Sequence, residues 1–323
     1  MHDEDLQAIP FFLVVGRETA NRRAVDRALR AMVPGLTVET VAGNSTALDR
    51  AFEAIIAQDV AEFVVVDMPA QADPEAFFEI ASPYVEMDEL ALAAMIAVVD
   101  VARFWNDYAQ GSPEVAQMLV GIVESATIVV LANADVADDA ESVEGYLSAL
   151  NPLATMLRLE RLQQMALDEL VTSALTRYGE MAVQRGLGEK PTWDTGMGGF
   201  QTFTWTTQSR LDRDRFLALI GEERHASVFR VRGSVQFAGE VTAEISVIGD
   251  AVMVEEFTDD EARAAYAEVD ESMREAFEEE GISWDEEGEG MAMIEDGTLL
   301  SFVGRNMPIS DLTALMEGCT LPE

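Results

Sequence analysis

Short, nearly continuous apolar runs alternate with segments of helical periodicity through the first half of the chain. They read FFLVVG from Phe11, TVETVAG from Thr37, EFVVVDMP from Glu62, AMIAVVDV from Ala94, TIVVLANA from Thr127 and TMLRLE from Thr155. Strands that are apolar on both faces, separated by helices, belong to a mostly parallel α/β sheet covered by helices on both sides. The unbroken run Phe11 to Val15 is expected at its centre, because only a central strand buries every side chain. Sheets of this kind bind ligands at the C-terminal ends of their strands, so the residues that follow each run are the ones to inspect.

From about Arg161 the pattern is helical to about Arg185, and GLGEKPTWDTGMGG then collects five glycines and a proline. That cluster marks a boundary. The expected organisation is a first domain over 1–185, a linker over 186–198 and a second domain over 199–323. FQTFTWTT, SVFRVRGSVQFAG, TAEISVIGDAVMVEEFT and GMAMIEDGTLLSFVGRN read as strands of an antiparallel sheet. With helices at Asp212 to Ile220, Asp260 to Glu279 and Ser310 to Glu317, the second domain is a smaller α+β unit. In the middle helix Tyr266, Val269, Met273 and Phe277 recur at three- and four-residue spacing and form one apolar stripe.

The first run ends at a glycine, and a helix follows: FFLVVGRETANRR, Phe11 to Arg23. A buried strand leading into a helix N-terminus offers backbone amides and a favourable dipole to a phosphate. The phosphate-loop pattern also needs a second glycine, a lysine and a hydroxyl. This chain has Asn21, Arg22 and Arg23 in their places.

A length of 323 residues exceeds one typical domain and agrees with two. The formal net charge is −39, and Lys190 is the one lysine among 21 basic residues. Nucleic acids and anionic membranes are both bound mainly through Lys and Arg, so neither is expected as a partner. Acidic residues are spread through both halves, a pattern that suits a high-salt interior where screening relieves their repulsion. An acidic decoy of nucleic acid is the rival explanation, and it calls for one contiguous face of carboxylates. The single cysteine, Cys319, excludes an internal disulfide and sits at an apolar position beside Leu315 and Met316. The acidic N-terminus and the lack of a long apolar run predict a soluble, cytoplasmic protein.

Four features in one order make the chain resemble the CobW-type metallochaperone P-loop GTPases. VVVDMPAQADP resembles the acidic Walker B strand and the Gly-x-x-Asp-Pro element after it, with Asp67 for a glutamate, Ala70 for the glycine, and Asp73-Pro74 kept. A VVD strand follows at Val98 to Asp100. LANAD resembles the base-recognition strand ending in Asn-Lys-x-Asp, and LSALNPLATMLRLE resembles the Asn-Pro passage that comes next. LLSFVGRNMPISDLTALMEGC resembles the closing strand and helix of the C-terminal domain. The resemblance covers nearly the whole chain. It implies a P-loop NTPase-like fold followed by the family's α+β domain, with GTP and Mg²⁺ as cofactors and metal insertion as the activity.

The motifs that carry this chemistry depart from the family pattern. Gly16 stands at the first glycine of the phosphate loop, Arg22 at the lysine, and Arg23 at the Mg²⁺-binding hydroxyl. The arginine pair has two readings: an anion clamp without metal, or solvated or ion-paired helix residues balancing an acidic chain. The second is favoured, because no glycine nest accompanies the pair. Of the base-reading residues Asp135 alone remains, and a lone aspartate at a strand end also serves as a turn former. Where the resemblance places Cys-x-Cys-Cys the chain reads Gly43, Asn44, Ser45 and Thr46, hard neutral groups that do not compete for Zn²⁺ as thiolates do. His2 and His225 have no partner at metal-ligand spacing, and no hydrolase or zincin motif is present.

The expected protein is therefore a non-catalytic member of the family, with Gly16, Arg22, Arg23, Asp67 and Asp135 a vestigial nucleotide site and no bound cofactor or metal. Its expected partner is a protein, such as an active paralogue. The alternative is a GTP-dependent metallochaperone with an atypical phosphate site, in which Asp67 still reaches Mg²⁺.

The charge distribution has a measurable consequence. The screening length falls from about 30 Å at 0.01 M salt to about 3 Å at 1 M, so the Tm in thermal denaturation should rise steeply with KCl. An equal Tm in 0.05 M and 1 M KCl would remove the high-salt explanation of the acidity.

Overall fold

The computed structural model describes residues 8–35, 37–42, 45–58, 61–69, 74–87, 89–170, 193–194, 199–221, 224–239, 241–258 and 297–321. It divides into two compact units, Met1–Met181 and Ala182–Glu323. The first runs β1 (Ile9–Gly16), α1 (Thr19–Met32), β2 (Val38–Val41), α2 (Ser45–Gln58), β3 (Phe63–Pro69), α3 (Pro74–Glu86) and β4 (Leu90–Asp100). It continues α4 (Phe104–Gln110), α5 (Pro113–Glu124), β5 (Ile128–Ala132), α6 (Ala140–Leu150), β6 (Thr155–Arg158) and α7 (Leu159–Leu162).

All six strands pair in parallel, in the order β2-β3-β1-β4-β5-β6. The central placement expected for Phe11 to Val15 is realised, since β1 lies between β3 and β4 and these five residues are fully buried. Alternate side chains of β1 face opposite layers, as strand geometry requires. Phe12 and Val14 pack with Val25, Ala28 and Leu29 of α1. Phe11 points the other way, with its ring 6.3 Å from Phe52 of α2 and 6.0 Å from Phe77 of α3. Burying each of these rings contributes about 1.5–3 kcal/mol, against about 0–1 kcal/mol for an exposed ion pair, so apolar contact fixes where the ends of β1, β3 and β4 lie.

Beyond β5, Asn151 closes the passage into β6. Its Nδ2 donates to the carbonyls of Val123 and Ala126 at 2.8 Å, and its Oδ1 accepts from the amides of Leu153 and Ala154 at 3.1 Å. The Asn-Pro pair noted in the sequence is thus a buried staple between the end of α6 and the turn before β5.

The second unit runs β7 (Trp193–Asp194), β8 (Phe200–Thr207), α8 (Arg213–Ile220), β9 (Val228–Phe237), β10 (Val241–Ile248), β11 (Ala251–Thr258), β12 (Thr298–Arg305) and α9 (Ile309–Glu317). Its strands form one antiparallel sheet in the order β11-β10-β9-β12-β8-β7. One face packs Phe203, Val231, Ile245 and Phe302 against Phe216 of α8 and Leu312 and Met316 of α9, with Cys319 in the same core. Asp212 caps α8 by accepting from the Arg215 amide at 3.0 Å. Gly233 has φ +146°, and a Cβ there would lie 2.0 Å from the Leu299 carbonyl oxygen, so β9 and β12 could not close on a larger residue. Strand β11 pairs with β10 alone among the described residues, and in that ladder two exposed acids, Glu244 and Glu255, stand directly opposite each other.

The predicted helix Asp260 to Glu279, the acid-rich stretch after it, His2, Asp73, Lys190 and the linker 186–198 apart from Trp193 and Asp194 lie outside the described residues. No helix among the described residues is long and apolar enough to cross a membrane.

Asn151→Ala would strip five hydrogen bonds from a largely buried turn. Unsatisfied buried groups cost about 1–3 kcal/mol, so the unfolding free energy from urea titration should fall by roughly 2–3 kcal/mol. A loss under 0.5 kcal/mol, taken as roughly the threshold for an ordinary surface change, would show that the staple is dispensable.

Candidate functional site

At the C-terminal end of β1 only Arg17 and Glu18 separate Gly16 from the first residue of α1. The helix therefore begins inside the stretch where a phosphate loop would still be open. The Glu18 carbonyl accepts from the amides of Asn21 and Arg22, both at 3.1 Å. A phosphate nest needs such amides unpaired and convergent, and these two are already committed. Gly16 has a packing reason to be glycine. A Cβ there would come within 2.7 Å of the Val98 carbonyl oxygen and 3.0 Å of the Val98 Cβ on β4.

Arg22, Val25 and Leu29 share the inner stripe of α1, and Arg22 is only 5% exposed. Its guanidinium turns back into the turn it follows. One terminal nitrogen donates to the carbonyls of Gly16 at 2.5 Å and Arg17 at 3.2 Å, the other to the Thr19 hydroxyl at 3.4 Å. Nε donates to Asp67 Oδ1 at 2.5 Å, an ion pair to the end of β3. A phosphate loop presents N–H groups to an anion, whereas the oxygens of Gly16, Arg17, Thr19 and Asp67 here surround a cation. The polarity of the turn is inverted.

A second set of charges holds the rim. Arg17 pairs with Asp107 of α4 at 2.8 Å, and Arg103 reaches Glu18 at 2.7 Å and Asp107 at 3.8 Å. Arg17 and Arg103 are partly exposed, so each pair alone contributes about 0–1 kcal/mol. Asp107 is 9% exposed and shared by both arginines, which makes the three-membered network the tether between turn and helix.

Deeper in, the carboxylate of Asp100 at the end of β4 gathers two carboxamides. Its Oδ2 accepts from Asn21 Nδ2 at 3.1 Å and from Asn133 Nδ2 at 2.9 Å. Asn133 follows β5 in the left-handed conformation, φ +58°, which Asn tolerates better than most residues. The other oxygen, Asp100 Oδ1, is buried with no hydrogen-bond partner.

Of the residues singled out in the sequence, Gly16, Arg22 and Asp67 meet at one point. Arg23 is exposed on α1, and Asp135 is exposed in the turn after β5. Neither bonds to the other three among the described residues. Ser45 opens α2, and Gly43 and Asn44 lie outside the described residues. His225 is exposed, with Nδ1 2.7 Å from the Ser227 hydroxyl. Among the described residues no group of three His, Cys, Asp or Glu side chains is placed to share a metal ion. The Asn21–Asp100–Asn133 linkage and the Arg17–Asp107 pair went unread in the sequence. The spacing of Arg22 to Val25 and Leu29 was the legible signal that this arginine faces inward.

Residues 42–158 match the family model for the CobW/HypB/UreG nucleotide-binding domain, and residues 200–320 match that for the cobalamin synthesis protein cobW C-terminal domain. The first match starts beyond Gly16 and Arg22, so the inverted turn lies outside it. No curated protein matches the chain by sequence. Among solved structures, it is similar to the Zn(II)-bound YjiA GTPase from E. coli, at 13% identity and TM-score 0.42, over 98% of this chain and 100% of that one. It is also similar to the signal recognition particle receptor FtsY from Elizabethkingia anophelis, at 13% identity and TM-score 0.34, over 48% of this chain and 59% of that one.

Removing one partner of a buried ion pair costs about 3–5 kcal/mol, because the other charge is left without compensation. Arg22→Met should lower the unfolding free energy by that amount in chemical denaturation, and Arg22→Met with Asp67→Leu should lose clearly less than the sum of the single changes. Strict additivity in this double-mutant cycle would mean that the two groups do not interact.

Proposed function

Given that the chain belongs to the CobW family, with the nucleotide-binding domain in its first unit and the CobW C-terminal domain in its second, we propose that it is a non-catalytic member. In this reading the nucleotide site has decayed, and the protein works by holding another protein, as an assembly or chaperone factor or as partner of an active paralogue. The observation that carries the proposal is the seat of Arg22. A triphosphate entering the turn would have to expel the guanidinium from the Gly16 and Arg17 carbonyls and break its ion pair with Asp67.

The losses are chemically independent. Arg22 stands where a lysine would bridge β and γ phosphates, and the hydroxyl that would carry Mg²⁺ is replaced by Arg23. Asp67, at the position of the metal-binding carboxylate, is neutralised by Arg22. In the base-reading element Ala132 and Ala134 are buried, and Asp135 is turned to solvent. Binding and hydrolysis would each need several of these restored together.

The alternative is a GTP-dependent metallochaperone with an unusual phosphate site, and the match of 42–158 to a nucleotide-binding domain favours it. It requires Arg22 to leave its carbonyls and clamp the phosphates from outside.

Isothermal titration calorimetry with GTP, GDP and ATP, in about 1 M KCl with Mg²⁺, separates the two readings. The proposal expects no saturable heat for any of the three, and binding at micromolar strength by any of them overturns it.

A further inference from the structure

Of the four sheet edges among the described residues, three are short: β2 and β6 have four residues each and β7 has two. β11 has eight, and it pairs with β10 along its whole length without a register shift. Short strands, prolines and bulges keep a sheet edge from accepting a further strand, and β11 has none of these guards. Gly249 and Asp250 alone join it to β10. A two-residue turn makes the flanking pair, Ile248 and Ala251, a hydrogen-bonded one, and such pairs then alternate along the ladder. The main-chain groups of Met253, Glu255 and Phe257 therefore face β10, and those of Val252, Val254 and Glu256 face away from it. Among the described residues no strand pairs with that second set.

Side chains decide what could join. Val254 packs on the core beneath α8 and α9, so Met253, Glu255 and Phe257 lie on the opposite face of the sheet. There Glu255 is exposed between two half-buried apolar residues, and its cross-strand neighbour is the equally exposed Glu244. Neither forms an ion pair among the described residues. Glu256, on the core side, already meets Arg213 at 2.7 Å. The edge thus carries two adjacent like charges without a cation, a destabilising pair that a positive charge in the next strand would relieve. A second copy of β11 would add its own Glu255 and Glu256 instead.

We propose that β11 is a docking edge for an extended segment of a partner protein, added as a seventh strand of the second sheet. That segment carries Lys or Arg opposite Glu255 and apolar residues two positions to either side, against Met253 and Phe257. Main-chain hydrogen bonds to Val252, Val254 and Glu256 supply affinity, and the alternating side chains supply specificity. The proposal deepens the protein-holding reading above and rests on it for the existence of a partner. The calorimetric titration reads the nucleotide turn and the test below reads β11, so either can fail alone.

Amide hydrogen exchange of the full chain is followed by NMR with the peptide acetyl-Thr-Val-Thr-Arg-Thr-Val-Thr-amide and with its Glu-for-Arg counterpart. The solution holds about 0.15 M KCl, at which close charges still attract. In the free protein the amides of Val252, Val254 and Glu256 should exchange faster than those of Met253, Glu255 and Phe257. The Arg peptide should slow the first set roughly tenfold or more at saturation, and it should bind about three- to tenfold tighter than the Glu peptide. Glu244→Gln with Glu255→Gln removes both unmatched charges and should bring the two affinities within about twofold. Slow exchange of the first set in the free protein at low concentration means that another part of the chain holds the edge. Slowing that grows with protein concentration means that a second copy does. Either result overturns the proposal, as do an Arg peptide that leaves these amides fast and equal affinities of the two peptides for the wild-type protein. A preference that persists in the double variant overturns the pairing with Glu255.

Discussion

A buried guanidinium must find acceptors, and the acceptors available to Arg22 are the oxygens of the turn it has just left. That requirement organises the end of the first sheet. It commits the carbonyls of Gly16 and Arg17 and one oxygen of Asp67 to a single cation, and it ties α1 to β3 across 45 residues of sequence. With the guanidinium folded back onto it, the turn is two residues long and α1 starts early. The early start in turn uses up the Asn21 and Arg22 amides on Glu18. An arginine in place of lysine at this position is thus a change of architecture as well as of side chain, since the planar fork reaches back to several oxygens at once where an ammonium would act as a point.

The frame that presents this turn was largely legible in the sequence. Continuous apolar runs reported the parallel sheet and the central place of β1. Alternation of apolar and polar residues reported the antiparallel strands of the second unit, and Asp212 was recognisable at the start of its helix. These signals are local, with periods of two or about three and a half residues. The site is not local. Arg22 lies on the same stripe as Val25 and Leu29, which indicates that it turns inward, but nothing near it in sequence names Asp67. The bonds from Asp100 to Asn21 and Asn133 span 79 and 33 positions. Arg103 and Asp107 show the one helical i, i+4 spacing in the network. The third member, Arg17, arrives only through the fold.

The arginines resolved here also qualify the meaning of a −39 charge. Arg17, Arg22 and Arg103 are gathered around one turn and engaged with Asp107, Asp67 and Glu18. These three positive charges fix the geometry of the turn, and three carboxylates offset them, so the remaining residues carry the same net charge. Lysine would serve this turn less well, because an ammonium is a point charge and not a multidentate fork.

One consequence concerns the order in which the second unit would come apart. Glu244 and Glu255 oppose each other across β10 and β11, and like charges in that position weaken the ladder by a few tenths of a kcal/mol to about 1 kcal/mol. Among the described residues β11, like β7 at the other edge, has a neighbour on one side only, so its backbone hydrogen bonds are less redundant than those of the inner strands. Dilution of salt then acts unevenly on the second unit. It strains this ladder before it reaches the apolar contacts beneath α8 and α9, and the protein loosens from its outer strand inward, as a zip does, while the core is still closed.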